Sequence, residues 1–91
     1  FLFLEALRDA GKKLGLPEEL AEDLARQTVL GAAELAHQSK DIPFETLREN
    51  VTSPGGTTEA ALEIFMEKDR LKELCLEAMT AAQRKSQDLS D

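Results

Sequence analysis

Apolar residues return at every third or fourth position through most of this chain, and no stretch alternates apolar and polar side chains as a half-buried strand would. That periodicity predicts an all-α fold. Gly15, Pro17, Pro43, Pro54, Gly55 and Gly56 fall between the periodic stretches and cut them into about five helices. In the first, roughly residues 1 to 14, the stripe is Phe3, Leu7, Ala10 and Leu14, and Gly15 suits a left-handed cap behind the cationic last turn of Lys12 and Lys13. Pro17 opens the second, which runs to about Gln38 with Leu20, Leu24, Thr28, Gly31 and Leu35 along one face. Pro43 starts a short third helix with Phe44, Leu47 and Val51 at helical spacing, ending near Asn50. Ala61, Leu62, Ile64 and Phe65 mark a fourth. Leu71, Leu74, Cys75, Ala78, Met79 and Ala82 form the stripe of a fifth, whose polar tail, residues 83 to 91, is expected to fray.

At 91 residues the chain is one small domain, which buries only about 60 to 65% of the surface its unfolded form exposes. Ala25, Thr28, Gly31, Ala32, Ala33 and Ala36 put small side chains on more than one side of the second helix, so other helices can approach closely there, and Gly31 is expected to mark a tight crossing. Several apolar stripes with so little chain to cover them predict an obligate homodimer, its helices intertwined with those of a second copy. The opening Phe1-Leu2-Phe3-Leu4 has no initiator methionine and runs straight into a helical pattern, as in a piece cut from a longer protein.

Charge and cysteine content narrow the function classes. A net charge of -7 repels phosphate backbones and anionic lipid heads, so neither nucleic acid nor a membrane surface is an expected partner. No apolar run reaches membrane length. The single cysteine, Cys75, excludes an internal disulfide and, with the single His37, cannot build a tetrahedral metal site, so no metal is expected and a cytoplasmic location is. Cys75 lies on the stripe of the fifth helix and is expected as a buried small hydrophobe, Met66 and Met79 as packing, and His37 as a cap in a last helical turn. Glu18, Glu19, Glu22 and Asp23 crowd a helix start, where the dipole favours acids without any bound cation.

Hydroxyls, paired glycines and a helix start coincide only in Val51-Thr52-Ser53-Pro54-Gly55-Gly56-Thr57-Thr58. The glycines remove side chains that would hold a ligand off the backbone, and the following helix leaves its first N–H groups unpaired. Such a segment can seat a carboxylate or a phosphate. It can equally be a capped turn whose hydroxyls satisfy their own helix.

The run V-T-S-P-G-G-T-T at 51–58 resembles the signature of the pyrroline-5-carboxylate reductase family. E-A-L-R-D-A-G-K-K-L-G-L-P at 5–17 resembles that family's first helix and turn in this region, and Q-T-V-L-G-A-A at 27–33 its long second helix, with order and spacing agreeing over nearly all of the chain. The resemblance implies that residues 1–91 form a C-terminal helical dimerisation and substrate-binding domain, the N-terminal dinucleotide-binding domain lying outside them. The implied activity is reduction of 1-pyrroline-5-carboxylate to L-proline with NADPH or NADH in proline biosynthesis. By resemblance, Ser53 and the backbone N–H groups of Gly55, Gly56 and Thr57 hold the substrate carboxylate, and the Thr58 hydroxyl, the catalytic group, meets the ring nitrogen. Asp41 stands where relatives often carry Glu before the proline of the short helix, and is carried over as a pocket residue. Relatives often form rings of dimers. Many have a Gly-Gly-Phe turn between the last two helices, where this chain has Met66-Glu67-Lys68-Asp69-Arg70, so a continuous or tighter helical turn is expected there. Without a dinucleotide-binding domain the 91 residues alone should not catalyse. The competing reading is a non-catalytic helical interaction module whose glycine pair is only a turn.

Overall fold

The computed structural model describes residues 1–90 and is all-α: α1 (Leu2–Lys13), α2 (Glu18–Gln38), α3 (Phe44–Asn50), α4 (Thr57–Met66), a single 3₁₀ turn (Glu67–Asp69) and α5 (Arg70–Ser90). Two compact units divide the chain, Phe1–Leu47 and Arg48–Asp91, with the boundary inside α3.

In the first unit α1 packs on α2 through a sharp reversal. The reversal is a Schellman cap: Gly15, at φ +103°, donates its N–H to the Lys12 carbonyl at 3.0 Å, and Leu16 donates to the Gly11 carbonyl at 3.0 Å. Gly15 is required because other residues are strained at that φ. Pro17 then takes the N-cap of α2. Glu18 and Glu19 sit in the first turn, where Glu18 pairs with Lys12 of α1 at 3.2 Å. Glu22 meets Arg26 at 3.8 Å and Arg8 at 3.9 Å. Glu18 and Glu22 are engaged by lysine and arginine across an exposed surface, where each pair contributes about 1 kcal/mol or less. Arg8 also bonds Asp9 at 3.0 Å, and that hydrogen bond and charge raise the guanidinium above its already high ordinary pKa.

The packed faces differ from the expected stripes. Only Ala21 and Ala25 are buried among the described residues. On α1 the half-buried residues are Leu4, Leu7, Arg8 and Gly11, whereas Phe3, Ala10 and Leu14 are exposed; on α2 the leucines at 20, 24 and 35 are exposed too. Small residues decide this contact. A Cβ on Gly11 would lie 3.2 Å from the Leu16 Cδ1 and 3.4 Å from the Ala21 Cβ, so Gly11 and Ala21 set the close approach of the two helices. Gly31, expected at a tight crossing, has nothing within 4 Å of its would-be Cβ within the chain.

In the second unit α4 and α5 meet through the 3₁₀ turn. The joint is tighter than a continuous helix: Lys68 (φ 53°, ψ 30°) and Asp69 (φ 56°) both lie in the left-handed region. An Arg70 to Glu67 hydrogen bond of 3.3 Å spans it. The tail expected to fray is helical through Ser90, because Gln83 to Ser90 contains no Gly or Pro and the Ser90 hydroxyl donates to the Ser86 carbonyl at 2.9 Å; residue 91 lies outside the described residues. Cys75, expected to be buried, is exposed, as are Met66 at 48% and Met79 at 72%, because no other part of the chain covers that face of α5 or the end of α4.

Replacing Gly11 with Leu must push α1 off Ala21 and is expected to lower stability by about 1 to 3 kcal/mol through overpacking. Thermal or urea melts followed by circular dichroism measure it, and an unchanged transition would show that the α1–α2 approach is not held at Gly11.

Candidate functional site

Ser53, Pro54, Gly55 and Gly56 form a type II turn. Pro54 presets the first central position, Gly55 supplies φ +75° at the second, and Gly56 closes the turn by donating its N–H to the Ser53 carbonyl at 2.9 Å. Gly56 (φ −88°, ψ 180°) is the N-cap of α4. A Cβ there would lie 3.1 Å from the Ser53 carbonyl oxygen, so Gly56 is needed for close approach rather than for an unusual φ. Ahead of the turn, the Thr52 hydroxyl donates to the Arg48 carbonyl at 2.6 Å and the Thr52 N–H to the Glu49 carbonyl at 3.1 Å, tying the loop to the end of α3.

The first intrahelical bond of α4 runs from the Ala60 N–H to the Gly56 carbonyl at 3.3 Å. The N–H groups of Thr57, Thr58 and Glu59 therefore have no acceptor among the described residues, and no side chain caps them. The hydroxyls of Ser53, Thr57 and Thr58 make no hydrogen bond within the described residues either, and all three residues are exposed. Within residues 51–58 the Thr52 hydroxyl bonds the end of α3, whereas those of Ser53, Thr57 and Thr58 do not cap α4. The side-chain bond that does form comes from Glu59, whose Oε1 accepts the Gly55 N–H at 3.2 Å.

Ser53, Gly55, Gly56, Thr57 and Thr58 are brought together in the second unit. Two of the three backbone donors assigned to a carboxylate already have partners, Gly56 in the turn and Gly55 on Glu59, which leaves the N–H groups of Thr57 and Thr58 and the hydroxyls open. Asp41 stands in the first unit, exposed in the turn where the Ile42 N–H donates to the Ser39 carbonyl at 3.0 Å. His37 is exposed in the last turn of α2. Among the described residues no group of three or more His, Cys, Asp or Glu side chains is placed to hold a metal ion. Sequence reasoning passed over Glu59, although an acid at the third position of a helix that opens after a hydroxyl-rich turn is a known capping signal.

Residues 1–89 match the family described as pyrroline-5-carboxylate reductase dimerisation. The chain belongs to that family. It is 46% identical over 91 residues to a pyrroline-5-carboxylate reductase of Pseudomonas aeruginosa, covering 100% of this chain and 33% of that protein. The Arabidopsis thaliana enzyme of the same name is 46% identical over 90 residues, with 99% and 32% covered. Among solved structures, the Coxiella burnetii pyrroline-5-carboxylate reductase superposes with a TM-score of 0.90 at 47% identity, over 100% of this chain and 33% of that one. The Plasmodium falciparum pyrroline carboxylate reductase, solved with NADP bound, gives a TM-score of 0.90 at 40% identity, over 99% of this chain and 34% of that one. The chain therefore spans about a third of the length of these relatives.

Gly56→Ala separates the two glycines' roles. Its methyl must displace the Ser53 carbonyl, opening the turn and lowering stability by about 1 to 3 kcal/mol through steric overpacking, whereas the φ of Gly56 itself suits alanine. Gly55→Ala meets no atom within 4 Å and carries only the left-handed backbone penalty of about 1 to 2 kcal/mol. Amide exchange at Gly56 should quicken in the first variant more than in the second, and equal exchange in both would show that the Ser53 contact is slack.

Proposed function

We propose that this chain is the dimerisation and substrate-binding part of a pyrroline-5-carboxylate reductase, which reduces 1-pyrroline-5-carboxylate to L-proline. The observation that supports it beyond family membership is the start of α4, where unpaired N–H groups and three unengaged hydroxyls stand side by side on a turn built to expose them. A substrate with one carboxylate and one imine nitrogen needs an anion seat and a hydrogen-bonding group a few bonds away. The Ser53 hydroxyl and the backbone N–H groups of Gly55, Gly56 and Thr57 take the carboxylate, Thr57 being open at the start of α4 and Gly55 and Gly56 exchanging their present partners for it, helped by the partial positive charge of the helix start. The Thr58 hydroxyl holds the ring nitrogen and orients the imine carbon.

The hydride is supplied by NADPH or NADH. The described residues do not fit that group, since they contain no strand and no glycine-rich turn between strand and helix that would cradle a pyrophosphate. The dinucleotide is held outside them, and the 91 residues alone are inactive. No helix among the described residues is long and apolar enough to cross a membrane, and we place the enzyme in the cytoplasm.

Thr58→Ala in the full-length reductase removes a hydrogen bond to the nitrogen that gains a proton as the carbon is reduced. At about 0.5 to 3 kcal/mol for that bond, catalytic efficiency toward the imine should fall up to about a hundredfold, with cofactor affinity nearly unmoved. Steady-state kinetics with each substrate varied in turn test this, and wild-type constants would return the loop to a purely structural role, as the helical-module reading requires.

The functional unit is a homodimer. Exposed Leu20, Leu24, Leu30, Leu35, Leu71 and Leu74 need a cover that the chain does not supply, and the family takes its description from dimerisation. Melting temperature should fall on dilution through the dissociation range. A monomer by sedimentation at micromolar concentration, with full helicity and an undiminished melt, would overturn the dimer.

A further inference from the structure

Between the end of α3 and α4 lies a shallow groove whose lining includes Arg48, Glu49, Thr52, Glu59, Glu63 and Met66, and the carboxylate of Glu59, one of its walls, bonds the Gly55 N–H at 3.2 Å. The chain has thus placed a carboxylate of its own on one of the donors that, on the reading above, belongs to the substrate's carboxylate. It is the single side-chain hydrogen bond made by residues 53–58 among the described residues. We propose that Glu59 is a specificity-determining residue of the imine site, a resident carboxylate that caps Gly55 in the free enzyme and is displaced by the carboxylate of the substrate.

One N–H cannot serve two carboxylates at full strength, and two carboxylates a few ångströms apart repel. The substrate therefore binds the fraction of molecules in which Glu59 has left Gly55, and its apparent affinity is reduced by that fraction. Glu59 can leave because its side chain is long, only half-buried and beside an open groove. The arrangement also discriminates. Only a ligand that brings its own anion can replace the bond that Glu59 gives up, so a ring lacking the carboxylate has nothing to offer Gly55.

The inference rests on the proposed imine site, and Glu59→Gln in the full-length reductase tests it. The glutamine amide keeps the length and can still accept the Gly55 N–H, but the bond loses its charge and the site its repulsion. KM for the imine should fall roughly threefold to tenfold, and so should the inhibition constant of L-proline, which carries the same carboxylate. L-prolinamide, which lacks the anion, should gain nothing. The melting temperature should drop slightly, since a carboxylate at the third position of a helix is stabilising. A KM that rises or stays, or an equal gain for L-prolinamide, would overturn the inference and leave Glu59 a plain helix cap. Thr58→Ala measured alongside tells the two readings apart, because wild-type kinetics there would mean that the loop does not hold the imine at all.

Discussion

Among the described residues only Ala21 and Ala25 are buried while nineteen large apolar side chains are exposed, and this shortage of interior governs the rest of the fold. Hydrophobic burial is the main favourable term in folding, and two alanines supply little of it. The α1–α2 contact is close because its residues are small, which fixes geometry well and yields little area. The larger side chains are left for another surface to use. Leu20, Leu24 and Leu35 stay exposed on α2 beside the buried Ala21 and Ala25, so the helix carries apolar surface beyond what its own unit covers. A family whose description is dimerisation fits this division.

Two left-handed turns in the second unit are built by opposite means. At Gly55 the positive φ falls on glycine, as the loop at the proposed site requires an unstrained turn that leaves donors free. At the α4–α5 joint it falls on Lys68 and Asp69, which carry a Cβ and a backbone cost of about 1 to 2 kcal/mol each. The joint meets that cost with local interactions: Glu67 and Arg70 bridge it, and aspartate tolerates the left-handed region better than most residues.

The helix ends were legible because their causes are local. Pro17, Pro43 and the Gly55–Gly56 pair act on their own φ angles, and the observed starts at Glu18, Phe44 and Thr57 follow directly. Faces were less legible, because which side of an amphipathic helix turns inward depends on what it packs against. Leucine stripes marked the apolar faces of α1 and α2, yet the close contact is set by Gly11, Ala21 and Ala25, with Leu4 and Leu7 half-buried beside it and Leu20, Leu24 and Leu35 exposed. A Cβ on Gly31 would meet no atom of its own chain within 4 Å, whereas one on Gly11 would lie against Leu16 and Ala21, and only the position of the neighbouring helix separates them. At the site, the motif marked the loop, while the partners of its N–H groups could not be read without coordinates for Ser53 and Glu59.

The electrostatics of the proposed site follow from what the loop lacks. Residues 51–58 contain no Lys or Arg, and the chain carries a net charge of -7, yet the proposed substrate is an anion. Attraction must come from fixed N–H dipoles at the start of α4, which act over a short range and cost no side-chain ordering. That choice suits the chemistry at the ring nitrogen. A lysine close enough to hold the carboxylate would also stand near the imine and disfavour the protonated nitrogen that makes the neighbouring carbon a good hydride acceptor. On the proposed reading, backbone amides and the Ser53 hydroxyl take the anion and the Thr58 hydroxyl meets the nitrogen, so no cation stands beside a nitrogen that must itself become positive. With no lysine or arginine in residues 51–58 to pair with it, the Glu59 carboxylate is left to accept the Gly55 N–H.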